Sequence, residues 1–185
     1  MSRAHLRTTV EASSATYLEV AGWDEVVGHV AGLAARVAVT PTLASARPDL
    51  VARLHDHDVE VVVPDGDDPV AQVADVPVGV AQGVLAVAET GSVLVDEHTL
   101  GDRVVTMLCR RLVQVVTTDA IAARLDDTAE WLRARGGQPG FASLITGPSR
   151  TADIERSLTI GVQGPDAVDV VVLTAASAGG TEQDG

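Results

Sequence analysis

The stretch "TGPSRTADIE", residues 146–155, sets a glycine–proline turn, three hydroxyls, an arginine and two acids between apolar segments. Arg150 offers a planar fork of donors matched to a carboxylate or phosphate, with the hydroxyls of Ser149 and Thr151 on either side. Gly147 and Pro148 fix a tight turn ahead of them. "FASLI" before the stretch is β-favouring, whereas Ile154 and Leu158 fall at helical i, i+4 spacing, so a strand-to-helix junction is predicted. Unpaired amides at that helix start would face an anion. The plainer alternative is that Ser149 or Thr151 caps the helix and Arg150 pairs with Asp153, while Asp153 and Glu155 offset the helix dipole.

A second candidate is "AVAETGSVLV", residues 86–95. Glu89 ends an apolar strand just before a Thr-Gly turn, a position where a partly desolvated carboxylate can act as base or nucleophile. An exposed turn glutamate is the alternative. In "GVQGPDAVDV", residues 161–170, Gln163 lies between glycines, where it can hydrogen-bond a ligand or a turn carbonyl. "LHDHD", residues 54–58, reads as a solvated helix exit, because His55 and His57 diverge by about 200° on a helix. "DEHTLGDR", residues 96–103, gathers Asp96, Glu97, His98 and Asp102 and is the better of two weak metal options. Cys109 has no histidine near it in sequence and reads as packing, as do Trp23 and Trp131. Neither a G-x-G-x-x-G fingerprint nor a P-loop is present.

These residues need a scaffold, and the periodicity supplies one. Residues 1–22 read as a polar N-terminal arm, 23–174 as a single domain and 175–185 as a polar tail without fixed structure. Helices are predicted at 23–34, from Pro48 to the "LHDHD" exit, at 102–108 and at 119–135. In the last, Ile121, Leu125, Ala129 and Leu132 share a face and "GG" at 136–137 stops it. Strands are predicted at 36–40, 59–63, 112–117, 141–145 and 168–173, with two or three short ones in 78–95. Valine runs such as "VEVVV", "LVQVV" and "VDVVVL" suit strands buried on both faces. The fold class is therefore α/β, a three-layer Rossmann-like, mostly parallel sheet flanked by helices. Ligands bind such sheets at the carboxyl ends of strands, where Glu89 and Arg150 are expected to share a cleft.

Composition narrows the partners. The chain has 185 residues, 46% hydrophobic, enough for one continuous core. Acids outnumber bases 26 to 13, for a net charge of -13, and every base other than histidine is arginine. Nucleic acid and anionic membranes should repel such a surface. A single cysteine leaves no set for a disulfide or an iron–sulfur cluster. No apolar run is long enough for insertion into a membrane and no secretory signal is evident, so a cytoplasmic location is expected.

Together, "AETGS" at 88–92, "GPSRTADIE" at 147–155 and "GVQGP" at 161–165 resemble the LUD-domain family of lactate utilization proteins. The resemblance covers about residues 78–173 and implies a fold of the ribose-5-phosphate isomerase and CoA-transferase-like superfamily. It also implies a cofactor-free component that works beside iron–sulfur proteins in oxidising L-lactate to pyruvate, with a homodimer possible. The substrate-binding residues it implies are Thr90, Gly91, Ser92, Gly147, Ser149, Arg150, Thr151 and Gln163, which would take a small anion or a partner's acidic segment. "AETG" is similar to the glutamate turn of CoA transferases, which would make Glu89 catalytic as an acyl acceptor. An effector-binding scaffold is the third reading. The chain departs from the family pattern at Gln163 and at Leu112, where histidines are usual, and this argues against histidine-dependent chemistry.

Overall fold

The computed structural model describes residues 3–137, 140–152, 158–160 and 164–174, with the backbone alone described at 150–152 and 158–160. Six strands form an all-parallel sheet in the order β1 (Thr16–Val20), β12 (Ala167–Leu173), β7 (Arg111–Thr117), β4 (Val78–Gln82), β2 (Arg36–Val39) and β3 (Glu60–Val62). The valine runs occupy it because β-branched side chains pack well on a pleated surface covered on both sides.

Strand alternation divides those side chains between two cores. On one face Val113, Val115 and Val171 meet Val26, Val27 and Val30 of α2 (Trp23–Leu33). Leu43 of α3 (Pro41–Ala46) and Leu50 and Leu54 of α4 (Pro48–Asp56) complete that side. On the other, Leu112, Val116 and Val170 meet Leu6 and Val10 of α1 (Arg3–Ala12) together with a second sheet. That sheet has four strands, in the order β8 (Ile121–Ala122), β5 (Leu85–Val87), β6 (Ser92–Glu97) and β9 (Phe141–Ile145). Each fully buried Val or Leu contributes about 1.5–3 kcal/mol. The fold is three-layered, as expected, but part of one outer layer is strand rather than helix.

Over β4 and β2 of the main sheet runs α6 (Leu100–Leu108), which packs with α5 (Pro69–Val73) through Val105, Cys109 and Val73. Its start is fixed by a capping box, in which Thr99 Oγ1 accepts from the Asp102 amide at 3.1 Å and Asp102 Oδ2 accepts from the Thr99 amide at 2.9 Å. The same carboxylate accepts from Thr42, amide at 2.9 Å and hydroxyl at 2.8 Å, tying α6 to α3.

Three expectations are corrected. Residues 1–22 are not a separate arm, since α1 buries Leu6 and Val10 completely and β1 is an edge strand of the main sheet. The predicted 119–135 helix begins only at Asp127, as α7 (Asp127–Arg135), after a 3₁₀ turn at 118–120 and strand β8. Its apolar stripe does not mark a packed face, for none of α7 is buried and Leu125 and Leu132 are exposed. Finally, where a strand-to-helix junction is predicted, β10 (Arg150–Ala152) pairs antiparallel with β11 (Leu158–Ile160). Leu158 therefore lies in a strand. Residues 153–157 and the tail 175–185 lie outside the described residues.

Two buried polar groups set measurable properties of this scaffold. Gln114, in the middle of β7, is wholly buried between Ala81 and Val170, and neither side-chain polar atom has a partner. Leaving a buried amide unsatisfied costs about 1–3 kcal/mol. Gln114→Met keeps the volume and removes the orphaned atoms, so its urea midpoint should rise by that equivalent with an unchanged m-value. A lower midpoint would mean the amide is satisfied. Asp169, 1% exposed, accepts from His29 Nε2 at 3.0 Å and Arg111 at 2.7 Å. Burial alone would raise its carboxyl, but the His29 hydrogen bond and the Arg111 charge prevail and hold it below the ordinary value. A lowered folded value stabilises above the unfolded one, about 3.9, and that contribution fades as pH falls through the folded value. Asp169→Asn should thus cost about 3–5 kcal/mol at pH 7, with the gap to wild type closing below about pH 4 in denaturation curves. A gap independent of pH would refute the ion-pair assignment.

Candidate functional site

Between α6 and β9 lies a cavity of about 340 Å³. Arg103, Thr106 and Met107 reach it from α6, at i, i+3 and i+4 spacing on one helical face. From β9 and the turn after it come Ser143, Thr146, Gly147 and Ser149, and Gly164 and Pro165 close the far side. The Ser149 amide donates to the Pro165 carbonyl at 2.9 Å, which joins the two loops.

Behind this lining sits Glu97, with 0% exposure. The β6–β9 register pairs Val95 with Ser143 and Glu97 with Phe141, so these side chains share the face turned toward α6. Thr106 Oγ1 donates to Glu97 Oε1, and Ser143 Oγ donates to Glu97 Oε2 at 2.9 Å. A second row of hydroxyls runs from Thr90 through buried Ser92 to Thr146, the Thr90–Ser92 step being 2.7 Å. The cavity wall is thus rich in hydroxyls held by groups deeper in the protein.

Arg103 supplies the positive charge. Its guanidinium lies 4.1 Å above the centre of the Phe141 ring, and its Nε donates to the Met107 sulfur at 3.4 Å. Among the described residues no carboxylate pairs with it. By contrast, Arg36, Arg47, Arg53, Arg110, Arg111, Arg124 and Arg135 each have an acidic partner. In a chain of net charge -13, an uncompensated cation in a hydroxyl-lined hollow is a place for an anion.

The sequence-predicted residues divide. Gly147 and Ser149 line the cavity, and Thr90 and Ser92 stand behind it. Gly91 and Gly147 also have a packing role, at φ 70° and 65°, values that L side chains rarely adopt. A Cβ at Gly91 would sit 2.5 Å from the Thr9 carbonyl carbon, and one at Gly147 would sit 2.4 Å from the Ser13 carbonyl oxygen. Both turns therefore press on the end of α1. Arg150 begins β10, but its side chain, that of Thr151 and the whole of Gln163 lie outside the described residues.

Glu89 is placed elsewhere. It is exposed, its carboxylate accepts from the Leu125 amide at 2.8 Å, and it is not part of the described cavity wall. The cavity does not lie at the carboxyl ends of strands, since Gly164 and Pro165 lead into β12 and it adjoins that strand's amino end. The carboxyl ends of β2 and β4 carry a smaller hollow of about 220 Å³, lined by Thr40, Gln82, Asp96 and His98 among others. There His98 Nε2 lies 3.3 Å from Asp96, and no metal-binding group of three or more acidic, His or Cys residues occurs among the described residues. Alternation along β6 sends Asp96 and Glu97 to opposite faces, which is why "DEHTLGDR" cannot act as one cluster. Cys109 is buried and burial pushes its thiol up to about 12, consistent with packing rather than nucleophilic use. No helix among the described residues is long and apolar enough to cross a membrane.

Known proteins resemble this chain at two levels. Lactate utilization protein C of Shouchella clausii is 34% identical over 98 residues, 51% of this chain and 42% of that protein. Lactate utilization protein C of Geobacillus kaustophilus is 31% identical over 101 residues, 52% of this chain and again 42% of that protein. The matched stretch thus spans less than half the length of these relatives. A solved structure of a DUF162 family protein from Deinococcus radiodurans superposes with a TM-score of 0.61 at 21% identity, over 94% of this chain and 99% of that one, and shares its fold. The LUD domain profile matches residues 51–173, more than half of the sequence and a span containing α6, β6, β9 and the whole described cavity wall. On that match the chain belongs to the LUD domain family.

Proposed function

We propose that this chain is a cytoplasmic component of an L-lactate utilization system and that the cavity between α6 and β9 binds a small carboxylate. Its similarity to lactate utilization proteins C supports the first half. The observation that carries the second is Arg103, a half-buried cation without an acidic partner among the described residues, in a cavity wall shared with Thr146 and Ser149. A guanidinium can take both oxygens of a carboxylate, and the hydroxyls supply further hydrogen bonds. Arg150, Thr151 and Gln163 are proposed to complete the site from the adjoining segments.

Oxidation of lactate to pyruvate releases two electrons and two protons. This sequence has one cysteine and so no cysteine set for a cluster, and the electrons are proposed to pass to iron–sulfur partner proteins. The reading of Glu89 as a covalent acyl acceptor has less support, because that carboxylate is exposed and bonded to the Leu125 amide away from the cavity.

Ligand-induced stabilisation tests the proposal. Free ligand at a hundredfold excess over Kd should stabilise the protein by about 2.7 kcal/mol, read as a rise in Tm. L-lactate should produce such a rise in wild type. Arg103→Ala should weaken binding at least about tenfold, near 1.4 kcal/mol, with Arg103→Lys in between. Absence of any shift with lactate, pyruvate or acetate would refute the cavity as a carboxylate site.

A further inference from the structure

We infer that this cavity selects a carboxylate carrying a hydrogen-bond donor next to its acid group, a 2-hydroxy acid in preference to the matching 2-oxo acid. The inference rests on the reading of the cavity as a small-carboxylate site, and goes further by assigning its selectivity to the buried Glu97.

Selectivity here comes down to a count of protons. A serine or threonine hydroxyl has one proton to donate and two lone pairs to accept with. Both Thr106 and Ser143 line the cavity, and both direct that single proton away from it. Ser143 Oγ donates to Glu97 Oε2 at 2.9 Å, and Thr106 Oγ1 donates to Glu97 Oε1. For Thr106 a second inward acceptor stands ready, the Arg103 carbonyl at 3.0 Å. Glu97 has 0% exposure, so water cannot take the place of these hydroxyls and its oxygens depend on them. What remains for a ligand at this wall is lone pairs.

A ligand hydroxyl can donate to those lone pairs. A ketone oxygen in the same position can only accept, so it would set lone pair against lone pair and leave the Thr106 and Ser143 oxygens without a donor. Sites built to pair with a substrate hydroxyl reject analogues lacking it, because buried polar groups are then left unpaired. Arg103, on the same helix face as Thr106, would hold the carboxylate shared by both acids. The charge therefore fixes the acid group, and the proton count at Glu97 distinguishes what stands beside it.

Isothermal titration of the intact chain with L-lactate and with pyruvate tests this. Wild type should bind L-lactate at least about tenfold tighter, and Ser143→Ala, which removes one acceptor at a partly buried strand position, should reduce that ratio to about threefold or less. Glu97→Gln turns one buried acceptor into a donor, so one hydroxyl proton is released toward the cavity and the ratio should fall in the same direction. If Glu97→Gln does not fold, Ser143→Ala alone decides. Equal binding of the two acids by wild type, or an undiminished ratio in Ser143→Ala, would overturn the inference while leaving the carboxylate site intact. Failure of wild type to bind either acid would overturn both.

Discussion

A carboxyl group sealed from water must find its hydrogen bonds within the protein, and at Glu97 that requirement joins two elements far apart in sequence. One donor, Thr106, comes from α6 and the other, Ser143, from β9. Neither hydroxyl can move away without leaving a buried oxygen unpaired, a loss of about 1–3 kcal/mol or more. The helix and the strand are thereby held at the spacing that leaves a hollow between them, and the walls of that hollow inherit their polarity from the group behind them. The capping box at Thr99 and Asp102 fixes the same helix from its other end, through Thr42.

The second sheet explains why the hollow exists where it does. In a doubly wound sheet with helices on both faces, crevices open at the carboxyl ends of strands. Here β5, β6, β8 and β9 take the place of helices over half of one face, and α6 abuts their edge strand β9. The hydroxyl-lined cavity consequently lies between that edge and α6, near the start of β12. The charge of the chain sharpens the contrast, because an acidic surface neutralises most of the described arginines in ion pairs but leaves Arg103 without a carboxylate among the described residues.

Much of the scaffold was legible because its signals are local. Valine runs marked β3, β7 and β12, Pro48 marked the fresh start of α4, and Gly136 marked the end of α7. Local patterns mislead where they compete with non-local pairing. Ile121 and Leu125 fit a helix stripe, yet Ile121 pairs beside Ala86 in the second sheet and Leu125 is exposed. Leu158 fits a helix begun at Ile154, yet it pairs with Ala152. The site divides in the same way. Ser149 and Gly147 are legible from turn chemistry, whereas Arg103, Thr106, Ser143 and Glu97 carry signals that gain meaning only once β9 is known to pair with β6. Helical i, i+3 spacing of Arg103 with Thr106 and strand alternation around Ser143 were present in the sequence, without anything to show that the two faces meet.

The central proposal is that a small carboxylate binds in the hollow between α6 and β9. Its most direct test is an amide chemical-shift titration of the isotope-labelled protein with L-lactate. Saturable shifts concentrated at Arg103, Thr106, Ser143, Thr146 and Ser149 are the predicted result. Shifts centred instead on Glu89 and Leu125, or on the His98 hollow at the opposite end of the sheet, would contradict it.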